Sequence, residues 1–101
     1  MVLHLLFPLV GNEVLKISIM ESAGEVVTLE LEGQISGRWV DLLQLTTEDY
    51  LYRGAQLTLD LGKVCFSDRD GIALLKNLAD RQVAIHKASP FIAQQIGLAA
   101  Q

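Results

Sequence analysis

The sequence predicts a small single-domain α/β fold, in which a mixed sheet of about four strands carries helices mainly on one face. Four segments alternate apolar and polar residues, the period of two that is typical of strands with one covered face. Elsewhere, apolar residues recur at spacings of three and four, which indicates helices. The chain has 101 residues, about the length of one domain, so a second core is excluded.

The first two predicted strands form a hairpin. Leu15, Ile17 and Ile19 alternate with polar residues, and the turn formers at 22–25 follow. Apolar residues alternate again over 27–32, with charged or hydroxyl side chains between them. Two strands joined by so short a turn pair in the antiparallel sense.

A helix and a third strand come next. Ser36 is a suitable N-cap for the helix, and Gly54 is suited to the position just past its end. The polar patch at 46–49 is the alternative break point, which would divide the helix into two shorter ones. Alternation over 57–61 predicts the third strand. Because a helix joins this strand to the second, the two are expected to pair in parallel.

The rest of the chain predicts two more helices and a short strand. Helical spacing of apolar residues starts at Asp70, and alternation over 83–86 indicates the fourth strand. Ser89 and Pro90 open the last helix, and Gly97 ends it. Since strands covered on both faces have near-continuous apolar runs, the alternation favours helices on mainly one face of the sheet.

Residues 1–12 form an apolar amino-terminal extension, and residues 13–101 form the domain. The extension is too short to span a membrane, which takes about twenty apolar residues, and it lacks the features of a secretory signal. The sequence therefore predicts no membrane span and a cytoplasmic protein. The extension is either an added strand or flap on the domain, or an arm that docks a partner or touches a membrane.

Composition excludes several functions. A net charge of −4 disfavours nucleic acid as a partner. Cys65 is the only cysteine and lies in an apolar run, so it is expected to be buried and inert. His86 is expected on the open sheet face. With no metal-ligand spacing and no phosphate-binding glycine loop, the sequence predicts no enzyme, no cofactor and no metal site.

The densest group of polar residues follows the third strand, where the second helix starts. It consists of Ser67, Asp68, Arg69, Asp70 and Gly71. One interpretation is capping of the helix, in which Ser67 or Asp68 accepts backbone hydrogen bonds and Asp70 favours the positive end of the helix dipole. The other is a recognition surface, since partners of open α/β sheets meet the carboxyl ends of the strands.

Three segments resemble the STAS domains, a family named for sulfate transporters and anti-sigma factor antagonists. Residues 33–36 (GQIS) resemble the turn after the family's second strand. Residues 59–74, with Asp68 and Gly71, resemble its strand-turn-helix signature, and residues 89–98 resemble its closing helix. The resemblance covers roughly residues 15–98, and it predicts a STAS-like fold for the domain at 13–101.

The resemblance implies a non-catalytic, protein-binding module. In the antagonist branch, a kinase-like anti-sigma factor phosphorylates the serine after the motif aspartate, and the added charge of about −1.5 to −2 expels the partner. Arg69 stands at that position here, so the phosphoserine switch is absent unless a neighbouring serine, Ser67, replaces it. The predicted partner-binding residues are Ser36, Ser67, Asp68, Arg69, Asp70 and Gly71.

Other functions compete with this one. Within the family, the chain would instead be a cytoplasmic accessory subunit of a membrane transporter, with a transporter subunit as its partner. A different class is a domain that binds a small apolar ligand or a nucleotide. Trp39, Tyr50 and Tyr52 raise the question of a homodimer, because aromatic side chains are enriched at interface cores. Trp39 is otherwise expected in the core.

Overall fold

The structure is a computed structural model that describes residues 2–6, 15–22 and 25–97. Its described part holds one five-stranded sheet and three helices. In chain order, the elements are β1 (Val2–Leu6), β2 (Leu15–Ser22), β3 (Val26–Ile35), α1 (Arg38–Tyr52), β4 (Gln56–Ser67), α2 (Arg69–Asp80), β5 (Ala84–His86) and α3 (Pro90–Ile96).

The sheet is mixed, as the sequence predicts, and its strands lie in chain order from β1 to β5. β2 pairs antiparallel with β1 and β3, which confirms the hairpin. β4 pairs parallel with β3 and β5, which confirms the crossover through the first helix. The fold class is confirmed, with β2 to β5 as the four predicted strands. β1 adds an edge strand within the extension, and the predicted boundary after residue 12 lies outside the described residues.

One face of the sheet carries the core. Ile19 of β2, Leu29 of β3 and Leu59 of β4 are neighbours across the strands, and all three are buried. The residues between them along each strand are mostly half-buried or exposed. Buried side chains of all three helices join the same core cluster, so the helices cover this face.

Most helix ends confirm the sequence prediction. α1 runs unbroken through the polar patch, and Thr46 and Thr47 donate their hydroxyls to carbonyls one turn back, both at 2.9 Å. Gly54 follows the C-cap of α1 with a positive φ of 82°. At α3, the Ser89 hydroxyl accepts from the Ile92 amide at 3.2 Å, and Gly97 is the left-handed C-cap.

The prediction that Cys65 is buried is wrong, and the irregular pairing of β4 explains why. β4 extends to Ser67, well beyond the alternating segment, and its register with β3 shifts twice. At the second shift, Val64 pairs with Gly33 and Phe66 with the next residue of β3, so Cys65 is the extra residue of a bulge. Its thiol is exposed and lies 3.3 Å from the Gly33 carbonyl oxygen.

The aromatic residues of α1 divide between core and surface. Trp39 is 3% exposed, as expected of a core residue, and Tyr50 is 9% exposed, whereas Tyr52 is 92% exposed. His86 is exposed, which confirms its solvated position. None of the helices that the structure describes is long and apolar enough to cross a membrane.

Candidate functional site

The candidate site lies where β3 and β4 end, at the same edge of the sheet. The two strands are parallel neighbours, and their last residues, Ile35 and Ser67, pair with each other. The turn that leads into α1 and the turn that leads into α2 are therefore side by side. The structure brings together the two segments that the sequence analysis singled out.

Asp68 holds these two turns together. It is the N-cap of α2, and its Oδ1 accepts from the Gly71 amide at 2.8 Å. Its Oδ2 accepts from the Gly37 amide in the other turn at 3.0 Å. Its backbone amide donates to the Ile35 carbonyl, also at 3.0 Å. The capping interpretation is confirmed for Asp68, and one carboxylate fixes the starts of both helices.

Ser36 is not the N-cap of α1, contrary to the sequence prediction. The N-cap is Gly37, whose φ of 57° and ψ of −136° are strained for any residue with a Cβ. This backbone turns the Gly37 amide toward Asp68, so the cap comes from another segment of the chain. Ser36 is 8% exposed, and its hydroxyl has no hydrogen-bond partner among the described residues.

Gly71 allows the turn to pack closely. A Cβ at this position would lie 2.3 Å from the Ser67 Oγ and 2.7 Å from the Ile35 carbonyl oxygen. Ser67 is itself buried, and its hydroxyl donates to the Asp68 carbonyl at 3.2 Å. Ser67 and Gly71 therefore belong to the framework of the turn.

Arg69 and Asp70 are the charged residues that the turn presents to solvent. Both side chains are exposed, in the first turn of α2. Among the residues that the structure describes, neither has an ion-pair partner within 4 Å. Phe66, at the end of β4, is 49% exposed and adds an apolar group next to the turn. The surface thus combines opposite charges with an aromatic ring.

An open groove between α1 and α2 runs from this turn along both helices. Its volume is about 720 Å³, and it begins beside Gly37 and Asp70. At its far end, Arg81 of α2 makes a bidentate ion pair with Glu48 of α1, with nitrogen–oxygen distances of 2.6 and 3.0 Å. The Arg81 hydrogen bond lowers the pKa of Glu48, and Glu48 in turn raises the pKa of Arg81.

The Glu48–Arg81 pair predicts a pH dependence of stability. Because the pKa of Glu48 is lower in the folded chain, the pair stabilises the fold fully above the ordinary glutamate pKa of about 4.5. That contribution is lost as the pH falls through the folded value. We therefore expect urea unfolding of the parent and of Glu48→Gln to differ at pH 7 and to converge at acid pH, once Glu48 is protonated in the folded chain as well. The effect is small, since both side chains are partly exposed.

The control for this experiment is Glu32→Gln, which removes an exposed carboxylate of β3 that has no cation within 4 Å in the described part of the chain. Its stability is expected to follow that of the parent at every pH. A constant gap between Glu48→Gln and the parent down to acid pH would contradict the assignment of the pKa shift to the pair.

Sequence reasoning missed the groove and the two hydrogen bonds by which the Asp68 carboxylate joins the turns, because both depend on residues that are far apart in the chain. Glu48 and Arg81 lie 33 residues apart on separate helices, and Gly37 and Asp68 lie 31 apart in separate turns. The sequence does carry one signal of the groove, because residues 37, 41, 44 and 48 recur at helical spacing on one face of α1. It shows a polar stripe, and only the packing of α2 against it makes a groove.

Comparison with known proteins supports the fold. The chain matches no protein-family profile and no curated protein sequence. Among solved structures, the anti-sigma factor antagonist SpoIIAA in its unphosphorylated form is similar, with a TM-score of 0.66. The match covers 77% of this chain and 78% of the SpoIIAA chain, at 14% sequence identity. Similarity at this identity shows a common fold, and the chain therefore has the STAS-like fold that its three segments predict.

Proposed function

We propose that this chain is a non-catalytic, protein-binding regulatory module that resembles an anti-sigma factor antagonist and works without a phosphoserine switch. The observation that carries the proposal is Arg69, an exposed cation at the first position of α2. The framework of Asp68 and Gly71 holds it in place. The partner would be a kinase-like anti-sigma factor, and the setting cytoplasmic.

The chemistry of position 69 supports a constitutive interaction. A serine there would stand at a helix amino terminus, where the dipole favours the charge of a phosphate. Arginine has no hydroxyl to accept a phosphoryl group, and its guanidinium brings the opposite charge. The neighbouring Ser67 hydroxyl is buried and does not offer a ready substitute. Binding would then be set by the amount of protein rather than by its phosphorylation.

We assign the six predicted partner-binding residues to two roles. Arg69 and Asp70 would contact the partner, because both are exposed and lack ion pairs among the described residues. The other four would shape the turn that presents them, since they cap, pack or connect the two helix starts. These four are Ser36, Ser67, Asp68 and Gly71.

Two substitutions of Arg69 test the proposal against a purified kinase-like anti-sigma factor from the same genome. Arg69→Glu is expected to weaken binding by about tenfold or more, because it reverses the exposed charge at the centre of the surface. Arg69→Ser is expected to bind in the absence of ATP and to become phosphorylated and released when ATP is added. Calorimetry measures the affinities, and mass spectrometry measures the phosphorylation.

The matched control is Lys76→Glu, the same charge reversal on the exposed part of α2 outside the turn. Its affinity is expected to stay within about twofold of that of the parent. Equal affinity of Arg69→Glu and the parent, or equal losses in the two variants, would exclude the turn as the contact surface. Phosphorylation of the parent chain by the kinase would contradict the absence of the switch.

A further inference from the structure

The groove between α1 and α2 has two unlike ends and an apolar floor. Val40 of α1 and Leu74 of α2 are nearly buried and form the floor. Asp41 and Asp70 stand on opposite walls near the turn. Glu48 and Arg81 close the far end with their bidentate pair.

The lining carries uncompensated negative charge. Its ionisable groups are three carboxylates and one guanidinium, and the guanidinium is already paired with Glu48. Asp41 and Asp70 are exposed, and neither has an ion-pair partner within 4 Å among the described residues. Each lies in the first turn of its helix, where the dipole stabilises a carboxylate. Both carboxylates are therefore available to pair with a cation.

Unlike Arg81, the cations at the starts of the two helices do not line the groove. Arg38 and Arg69 begin α1 and α2, and both are exposed. Arg69 precedes Asp70 by one residue, so the two side chains leave the helix about 100° apart. The turn thus shows its positive charge on one side and its negative charge in the groove.

From this pattern we propose that the groove receives an arginine or lysine side chain of the protein partner. The cation would lie between Asp41 and Asp70, and its aliphatic stem would cover Val40 and Leu74. This proposal rests on the proposed function and deepens it, because it names the chemistry of the partner surface. That surface carries an acidic group for Arg69 and, beside it, a basic side chain for the groove.

The alternating charges give a physical reason for selectivity. A partner surface with charge of only one sign would pair with either Arg69 or the groove and be repelled by the other. That repulsion costs affinity and disfavours wrong partners. Amide side chains of Gln44 and Asn77 further along the walls provide hydrogen bonds to a peptide backbone. A polar, open lining of this kind fits a segment of protein better than a small apolar ligand.

The experiment titrates the full isotope-labelled chain with a blocked peptide that alternates arginine and alanine. Backbone amide shifts are recorded by NMR at low salt, and a glutamate–alanine peptide of equal length is the companion probe. We expect the arginine peptide to shift the backbone amide resonances of residues along the groove, and the glutamate peptide to leave those resonances unchanged. In Asp41→Asn with Asp70→Asn, the dissociation constant is expected to rise by about tenfold.

The matched control is Glu32→Gln with Asp80→Asn, which removes the same net charge at exposed positions outside the groove. It is expected to change the dissociation constant by about twofold at most. Equal weakening in both double variants, or shifts spread over the whole surface, would show only general attraction and would overturn the proposal. If the glutamate peptide shifted the amide resonances of the groove residues equally, the proposal would be overturned as well.

The kinase experiment separates this inference from the proposed function. If Arg69→Glu weakens binding of the kinase and Asp41→Asn with Asp70→Asn does not, the regulatory function stands and the groove proposal fails. If the arginine peptide occupies the groove and the kinase does not bind the parent chain, the groove proposal stands and the regulatory function fails.

Discussion

Gly71→Ala is expected to lower the free energy of unfolding by roughly 3 kcal/mol, at the upper end of the usual cost of overpacking. The added Cβ would lie 2.3 Å from the Ser67 Oγ, 2.7 Å from the Ile35 carbonyl oxygen and 2.9 Å from the Ile35 Cγ2. Alanine is otherwise favoured over glycine in a helix by about 1 kcal/mol, so a net loss reports the collision. Urea unfolding measures it.

Two further variants show which contact matters. Adding Ser67→Ala to Gly71→Ala removes the Oγ contact and is expected to restore only part of the stability, since the Ile35 carbonyl cannot move without disturbing β3. Gly62→Ala is the matched control, because its Cβ would meet only side-chain atoms of Asp60 and Lys87, at 3.2 Å. That change is expected to stay within about 0.5 kcal/mol. Wild-type stability of Gly71→Ala would contradict the close approach of the two turns.

The sequence predicted the sheet and the helices because local patterns carry them. Alternation in β2 and β3 follows directly from one buried and one open face. Capping residues such as Ser89 and Gly97 act on their own helix, within a few residues of the chain. The order of elements then leaves few topologies, since a helix between two strands implies a parallel pair.

The errors occurred where distant parts of the chain decide the structure. Cys65 lies in an apolar run, and its exposure depends on the extra residue that β4 places opposite β3. Ser36 has the side chain of a good N-cap, and Asp68 replaces it by bonding to the Gly37 amide across the sheet edge. The periodicity of apolar residues, two in a strand and 3.6 in a helix, shows neither the register of a bulge nor a cap that comes from another segment of the chain.

In the candidate site too, local residue patterns predict one part, and the packing of distant segments decides the other. The cluster 67–71 was identified from residue types and the turn at Ser36 from the family resemblance, and parallel pairing of β3 and β4 explains their proximity. Which members face solvent was not predictable, because Ser67 and Asp70 are both polar and only packing buries the first. Framework residues therefore flank the exposed Arg69 and Asp70 on both sides, and substitutions can separate stability from the charge that the turn presents.

Asp68→Ala is the clearest test of that separation and is expected to cost roughly 2 kcal/mol of unfolding free energy. It removes the cap of α2, worth about 1 kcal/mol, and a second charged hydrogen bond, to Gly37. The cost of the second bond is limited because the Gly37 amide is exposed and gains water in exchange. Urea unfolding gives the total, and hydrogen exchange of the Gly37 and Gly71 amides shows where it arises.

Asp68→Asn is the informative partner of this variant. An asparagine side chain has one carbonyl oxygen, so it can accept from the Gly37 amide or from the Gly71 amide, whereas the carboxylate accepts from both. We expect its stability to fall between those of the parent and of Asp68→Ala, with faster exchange at only one of the two glycine amides. Equal losses in the two variants would mean that the charge of Asp68, rather than its two-sided geometry, joins the helix starts.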